Sequence, residues 1–177
     1  MHNIFIMRKN SLVFCLLFLL PIFIFAQKTN RHVIDPKKQK DMLLGKCNRH
    51  GLETEPFNEW FQKEYSDYKP DAQILDQLKN QMKGVKIILI MGTWCSDSRR
   101  EVPRFYKILD YLKVKSKKMK VICVDRDKKA GDLSLEKLKF TLIPTFVIYK
   151  NDKELGRIIE SPLESLEKDL LKIITAN

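Results

Sequence analysis

The chain has 177 residues, of which 33 are basic and 22 acidic, and its formal net charge is +11 at neutral pH. This length is typical of a single domain once a targeting segment has been removed. The basic residues are spread along the chain and mixed with acidic ones, and they show no helix-turn-helix or zinc-finger spacing. We therefore expect solvated basic faces and no nucleic-acid partner.

The first 26 residues have the organisation of a secretory signal peptide. Arg8 and Lys9 precede an apolar run from Leu12 to Phe25, and Ala26 offers a cleavage point. The run is shorter than the ~20 apolar residues that a spanning helix needs, which favours cleavage over anchoring. We expect an exported protein, periplasmic or otherwise extracytoplasmic, that contacts a membrane only if this segment is retained.

Three cysteines remain after such a cleavage, namely Cys47, Cys95 and Cys123. An odd number in an exported protein means that at least one thiol is free or pairs with something outside the chain. The remaining chain is long enough to bury a core without disulfide bonds, so the cysteines do not indicate a disulfide-stapled miniprotein.

Residues 27 to 70 are predicted to form a helical extension that precedes the main domain. Residues 27 to 35 are polar and predicted to be an irregular lead-in, and Pro36 is suited to begin a short helix over residues 36 to 46. Pro56 is suited to begin a second helix. Its aromatic residues recur at helical spacing, which is typical of a packing face. They are Phe57, Trp60, Phe61, Tyr65 and Tyr68.

Residues 71 to 177 predict a second set of elements in the order βαβ, α, ββα, preceded by a helix. The preceding helix runs from Pro70-Asp71 to Gly84, and the βαβ part consists of a strand over 85–91, a helix over 96–113 and a strand over 119–124. A short helix is predicted over 133–140. Strands over 145–149 and 154–160, joined at Asn151-Asp152, precede a last helix from Ser161-Pro162 that carries Leu163, Leu166 and Leu170. The βαβ part implies parallel strands, and the Asn-Asp turn implies a hairpin.

Cys95 falls where the first of these strands gives way to a helix. A thiol at a helix N-terminus faces unpaired N–H groups and the positive end of the helix dipole, and both favour the nucleophilic thiolate. Arg99 and Arg100 are placed to add to this effect, whereas the carboxylate of Asp97 opposes it. Trp94 before the cysteine and polar residues after it indicate partial exposure.

The segment Trp94-Cys95-Ser96-Asp97-Ser98 resembles the Trp-Cys-x-x-Cys motif of the thioredoxin family, with serine at the second cysteine. Pro103 matches the proline of the family's active-site helix, and Ile143-Pro144-Thr145 with the following strand resembles its cis-proline loop. Gly156 lies in the next strand. The resemblance covers about residues 72 to 174. It implies a thioredoxin-like α/β fold with a central mixed four-stranded sheet, here with extra N-terminal helices.

The resemblance also implies roles for individual residues. Cys95 would be the attacking thiol, and Pro144 would lie against it after a cis peptide bond. Ile143 and Thr145 would border the groove for an extended substrate, to which Ile143 would offer backbone groups. Trp94 would cover the site.

Two positions depart from the family pattern. Ser98 stands at the catalytic position of the second cysteine, and a hydroxyl cannot resolve a mixed disulfide. Leu89 occupies the place where thioredoxins carry a buried aspartate that assists proton transfer. Both changes weaken the expectation of a dithiol reductase cycle, and the question of whether the protein is an enzyme stays open.

Three interpretations of Cys95 follow. It exchanges with protein or small-molecule thiols and disulfides as a single thiol, which predicts a role in cell redox homeostasis. It works with a distant resolving thiol, for which Cys47 is the candidate. Or it is a redox-silent remnant on a binding module that uses the cis-proline groove. We expect no cofactor and no metal, because Cys47 and His50 lack a second ligand pair, and Cys123 is predicted to be core.

Overall fold

The computed structural model describes residues 28–176, so the predicted signal peptide lies outside the described residues. The strands are β1 Arg31–Ile34, β2 Asp41–Cys47, β3 Val85–Met91, β4 Met119–Cys123, β5 Thr145–Lys150 and β6 Lys153–Ile159. The helices are α1 Arg49–Leu52, α2 Asn58–Asp67, α3 Ala72–Lys79, α4 Ser96–Tyr111 and α5 Leu166–Thr175. None of the helices in this part of the chain is long and apolar enough to cross a membrane.

The six strands form one mixed sheet in the order β1-β2-β4-β3-β5-β6. Strands β3 and β4 run parallel, as the predicted βαβ unit requires, and the other neighbours are antiparallel. Asn151 and Asp152 join β5 to β6 with positive φ values of 52° and 66°, which is the backbone of a tight hairpin turn. The predicted four-stranded sheet is therefore present, and β1 and β2 extend it beyond β4.

The helix predicted over residues 36 to 46 is wrong, and so is the irregular lead-in, because both segments contribute to the β1–β2 hairpin. Ile34 pairs with Asp41 across its end. The Asp35 carboxylate accepts a hydrogen bond from the Lys37 N–H at 2.9 Å, so the segment around Pro36 forms the hairpin loop. Pairing of β2 with β4 then overrides the local preference.

All the longer helices pack on one face of the sheet. They cover the alternate β3 side chains Val85, Ile87, Leu89 and Met91, and Phe105 of α4 packs on Phe146 of β5 with ring centroids 4.4 Å apart. The other face carries a smaller cluster that includes Ile90, Val124, Ile143 and Val147. Burial on both faces explains why β3 is a nearly continuous apolar run.

Three further predictions differ from the structure. The helix predicted to end at Gly84 stops at Lys79. The segment over residues 133 to 140, predicted to be helical, holds only a 3₁₀ turn at Glu136–Leu138, and it packs over the smaller cluster. The last helix begins at Leu166 rather than near Pro162, with Ser165 as its N-cap. The Asp169 carboxylate accepts hydrogen bonds from the N–H groups just before this cap, which holds them in a loop and leaves Leu163 96% exposed.

Candidate functional site

Cys95 is the N-cap residue of α4, directly after the turn that leaves β3. Its N–H donates to the Gly92 carbonyl at 3.0 Å, and its own carbonyl accepts from the Arg99 N–H at 3.0 Å. The partly exposed thiol donates to the Ile143 carbonyl at 3.5 Å. No side chain caps this helix, so the positive end of its dipole is left to the cysteine sulfur and to solvent.

The loop that faces the thiol is held from both of its ends. The peptide bond between Ile143 and Pro144 is cis. The Thr145 hydroxyl donates to the Leu142 carbonyl at 2.6 Å, and the Pro144 carbonyl accepts from the Glu160 N–H at 2.7 Å. Thr145 itself is buried, so its side chain positions the loop and is not free to contact a ligand.

Ser98 is fully buried beneath the turn. Its hydroxyl accepts a hydrogen bond from the Gly92 N–H at 3.2 Å and so ties the first turn of α4 to the end of β3. Leu89 is also fully buried, on the helical side of the sheet. The two departures from the thioredoxin pattern are therefore accommodated as a structural hydroxyl and a core side chain.

Gly92 is a site residue that sequence reasoning missed. A Cβ on this residue would lie 2.8 Å from two atoms of the Trp94 ring and 2.9 Å from Cδ1 of Ile143. The Trp94 indole N–H donates to the Val124 carbonyl at 2.9 Å, which fixes the ring over the glycine. A glycine directly after a buried strand was the available sequence signal for this close approach.

We expect a Gly92→Ala substitution to displace Trp94 and Ile143 and to lower the free energy of unfolding by ~1–3 kcal/mol, the usual cost of overpacking. Urea denaturation measures this change. Ser96→Ala, at an exposed position of the same turn, is the control and should leave stability within ~0.5 kcal/mol of the parent. Equal stability of Gly92→Ala and the parent would contradict this account of the turn.

The hairpin tip is attached to the site by an ion pair. One oxygen of the Asp35 carboxylate lies 2.8 Å from Nε and 2.7 Å from Nη2 of Arg126, and Asp35 is only 2% exposed. The Arg126 guanidinium lies 4.7 Å from the Trp94 ring centroid, within range of a cation–π contact. The hydrogen bond from Arg126 holds the pKa of Asp35 below its usual value, although burial opposes it.

This ion pair makes a pH-dependent contribution to stability. Because the pKa of Asp35 is lower in the folded than in the unfolded chain, the pair stabilises above about pH 4 and its contribution is lost as the pH falls below that. We expect Asp35→Asn to be less stable than the parent at pH 7, with the difference shrinking towards pH 3. Urea denaturation at both pH values tests this, with the exposed Asp132→Asn as control. A difference that does not change with pH would contradict it.

The charged residues after Cys95 do not act together. Asp97 forms an ion pair with Arg100 at 2.9 Å, which offsets the negative charge that was expected to oppose the thiolate. Nε of Arg99 instead donates to the Thr93 carbonyl at 2.6 Å. The Thr93 hydroxyl in turn accepts from the Leu43 N–H at 3.1 Å, which joins the site to β2.

The structure does not bring Cys47 near Cys95. Cys47 is buried in β2 among the helix-side core residues, whereas Cys95 packs with the cluster on the other face of the sheet. The Cys47 thiol contacts that of Cys123, and burial together with this contact raises the pKa of Cys123. Within residues 28–176, no group of three His, Cys, Asp or Glu side chains is arranged for a metal ion.

Comparison with solved structures gives low overall similarity. A thioredoxin from Fasciola hepatica is 25% identical, covers 58% of this chain and 89% of its own, and has a TM-score of 0.37. A thioredoxin from Trypanosoma brucei brucei is 23% identical, with 56% and 84% covered and a TM-score of 0.35. A protein of unknown function from Pseudomonas aeruginosa is 15% identical, with 67% and 81% covered and a TM-score of 0.44.

Comparison with protein families is more informative. No curated protein matches the sequence. The family model for thioredoxin matches residues 53–169, which is more than half of the chain and includes the Cys95 turn and the Pro144 loop. Since the mixed sheet also has the strand arrangement that this family implies, the chain belongs to the thioredoxin family.

Proposed function

We propose that the protein carries out thiol–disulfide exchange through Cys95 as a single thiol. The Cys95 thiolate attacks a disulfide, a new disulfide forms between Cys95 and one half of the substrate, and the other half leaves as a thiolate that takes a proton from water. A protein or small-molecule thiol then attacks the mixed disulfide, forms a new disulfide with the bound half and releases Cys95.

One observation carries this proposal: the partly exposed Cys95 lies at the N-terminus of α4 beside the Ile143 carbonyl, while the position of a resolving thiol holds Ser98. Cys47 and Cys123 are buried on the other side of the sheet. The mixed disulfide must therefore await an external thiol. Membership of the thioredoxin family supports a redox role at this turn.

The surroundings of the thiol suit an extended or small substrate. The Ile143 carbonyl borders it, and Leu142 and Ile159 are 42% and 46% exposed near the same loop. Apolar side chains at this exposure offer packing surface to a substrate next to the cysteine. We also propose that the protein works outside the cytoplasm, in redox homeostasis of the cell envelope, because residues 1–26 are organised as a secretory signal peptide.

Incubation of the reduced protein with glutathione disulfide, followed by mass spectrometry, tests the exchange. We expect one glutathione adduct, located at Cys95 by peptide mapping and removed by dithiothreitol. The Cys95→Ser variant, which keeps Cys47 and Cys123, should remain unmodified. Absence of an adduct on the parent, or an adduct on Cys47 or Cys123 instead, would overturn the proposal.

A further inference from the structure

The β1–β2 hairpin builds a pocket of about 310 Å³ beside Trp94. Its lining includes Asp35, Lys38, Lys40, Trp94, Arg99 and Arg126, together with Asp41. The hairpin precedes the part of the chain that the thioredoxin family model matches, which begins at residue 53. The pocket is therefore formed between a feature of this chain and the turn that carries Cys95.

The cations of this pocket outnumber its anions. The Asp35 carboxylate is neutralised by Arg126, which leaves Asp41 as the one unneutralised carboxylate among the lining residues. Three cationic side chains have no acidic partner among residues 28–176, and they are Lys38, Lys40 and Arg99. A pocket with such an excess of positive charge favours an anionic ligand.

The fixed side chains of the pocket also connect it to the cysteine. Trp94 immediately precedes Cys95, and Arg99 lies one helical turn after it. Hydrogen bonds to backbone carbonyls hold both side chains, the indole on Val124 and the guanidinium on Thr93. A ligand group placed here would contact Trp94 and Arg99, which flank Cys95 along the chain at the start of α4.

We propose that this pocket binds a carboxylate of the compound that exchanges with Cys95, so that the preferred substrates are small carboxylate-bearing disulfides. This inference rests on the proposed function for its substrate, and on the hairpin and its unpaired cations for its site. It gives Lys38, Lys40 and Arg99 the role of substrate selection, separate from the chemistry of the sulfur.

Two disulfide probes of opposite character test the selection. The first, 5,5′-dithiobis(2-nitrobenzoate), carries two carboxylates, and the second, 4,4′-dithiodipyridine, is uncharged at neutral pH. The quantity compared is the rate at which Cys95 reacts with the dicarboxylate probe, divided by its rate with the uncharged probe. We expect Lys38→Gln/Lys40→Gln to lower this ratio by about fivefold at low salt, because two nearby positive charges are lost. The same ratio should fall in the parent as salt is added.

The matched control is Lys117→Gln/Lys118→Gln, which removes equal charge near the start of β4, at the opposite end of the sheet from Cys95. It should leave the ratio within about twofold of the parent, since those charges are screened beyond a Debye length. Equal ratios in the two double variants would overturn the proposal. Failure of Cys95 to react with either probe would instead contradict the proposed function. In that case the binding measurement below, which needs no reaction at Cys95, tests the pocket.

Binding is measured without any sulfur chemistry in a Trp60→Phe/Cys95→Ser variant, in which Trp94 is the sole tryptophan. We expect its fluorescence to change saturably with S-methylglutathione, a dicarboxylate without a free thiol. The dissociation constant should rise at least about fivefold for the diethyl ester, and likewise when Lys38→Gln/Lys40→Gln is added. No saturable change, or equal affinity for acid and ester, would overturn the pocket as a carboxylate site.

Discussion

A Ser98→Cys variant is expected to form an intramolecular disulfide with Cys95 and to reduce disulfides by a two-thiol cycle. The Cys95 N–H donates to the Gly92 carbonyl, and the Ser98 hydroxyl accepts from the Gly92 N–H. Both residues are therefore tied to the same turn. A thiol at position 98 can resolve the mixed disulfide from within the chain, whereas a hydroxyl cannot. Reduction of insulin by dithiothreitol should be accelerated at least about tenfold over the parent.

Ser96→Cys is the matched control for this gain. It also adds one thiol to the first turn, but an adjacent residue of a helix does not face its neighbour, and Ser96 is exposed. We expect this variant to form no disulfide with Cys95 under mild oxidation and to show no acceleration. If Ser98→Cys remained fully reduced under those conditions, or if both variants behaved alike, the geometry described for the turn would be wrong.

Two leucines three residues apart are expected to differ sharply in their contribution to stability. Leu166→Ala should cost ~2–5 kcal/mol, because Leu166 is 1% exposed and its loss leaves a cavity in the helix-side core. Leu163→Ala should change stability by less than ~0.5 kcal/mol, because Leu163 is 96% exposed. Urea denaturation of the two variants measures both effects. Similar losses would mean that the last helix begins near Pro162 after all.

The sequence predicted the central elements well because their patterns are local. Strand β3 has the predicted bounds, and α4, β4, β5 and β6 lie within two residues of theirs. A continuous apolar run identifies a strand buried on both faces, and helical spacing identifies the face of α4 that carries Phe105. The Trp-Cys-x-x-Ser motif then placed Cys95 at the start of that helix.

The N-terminal hairpin was mispredicted because its stabilising contacts are not local. A proline after Asp35 suits the first turn of a helix as well as a loop, and nothing nearby distinguishes the two. Strand β2 is held by β4, more than 70 residues further along, and the loop is held by Arg126, 91 residues from Asp35. Such pairings depend on the tertiary fold rather than on local propensity.

Motif spacing predicted which residues lie together at the site, but not the contacts that distant segments make with them. Cys95, Ser98, Trp94, Ile143 and Pro144 were identified from motif spacing, and the structure brings them to one turn and its facing loop. The close packing under Gly92 and the pocket beside Trp94 depend on atoms from distant segments. The same limit applied to Cys47, whose burial on the other face of the sheet follows only from the register of β2.

The rate at which Cys95 is alkylated tests the central claim most directly. Folded and urea-unfolded protein are treated with iodoacetamide at pH 7, and mass spectrometry assigns the label to each cysteine over time. Because the Cys95 thiol is partly exposed whereas Cys47 and Cys123 are buried, we expect Cys95 to be labelled in the folded protein, while Cys47 and Cys123 are labelled only after unfolding. A Cys95 that is labelled no faster than the buried Cys47 and Cys123 in the folded protein would contradict the account of this residue as a working single thiol.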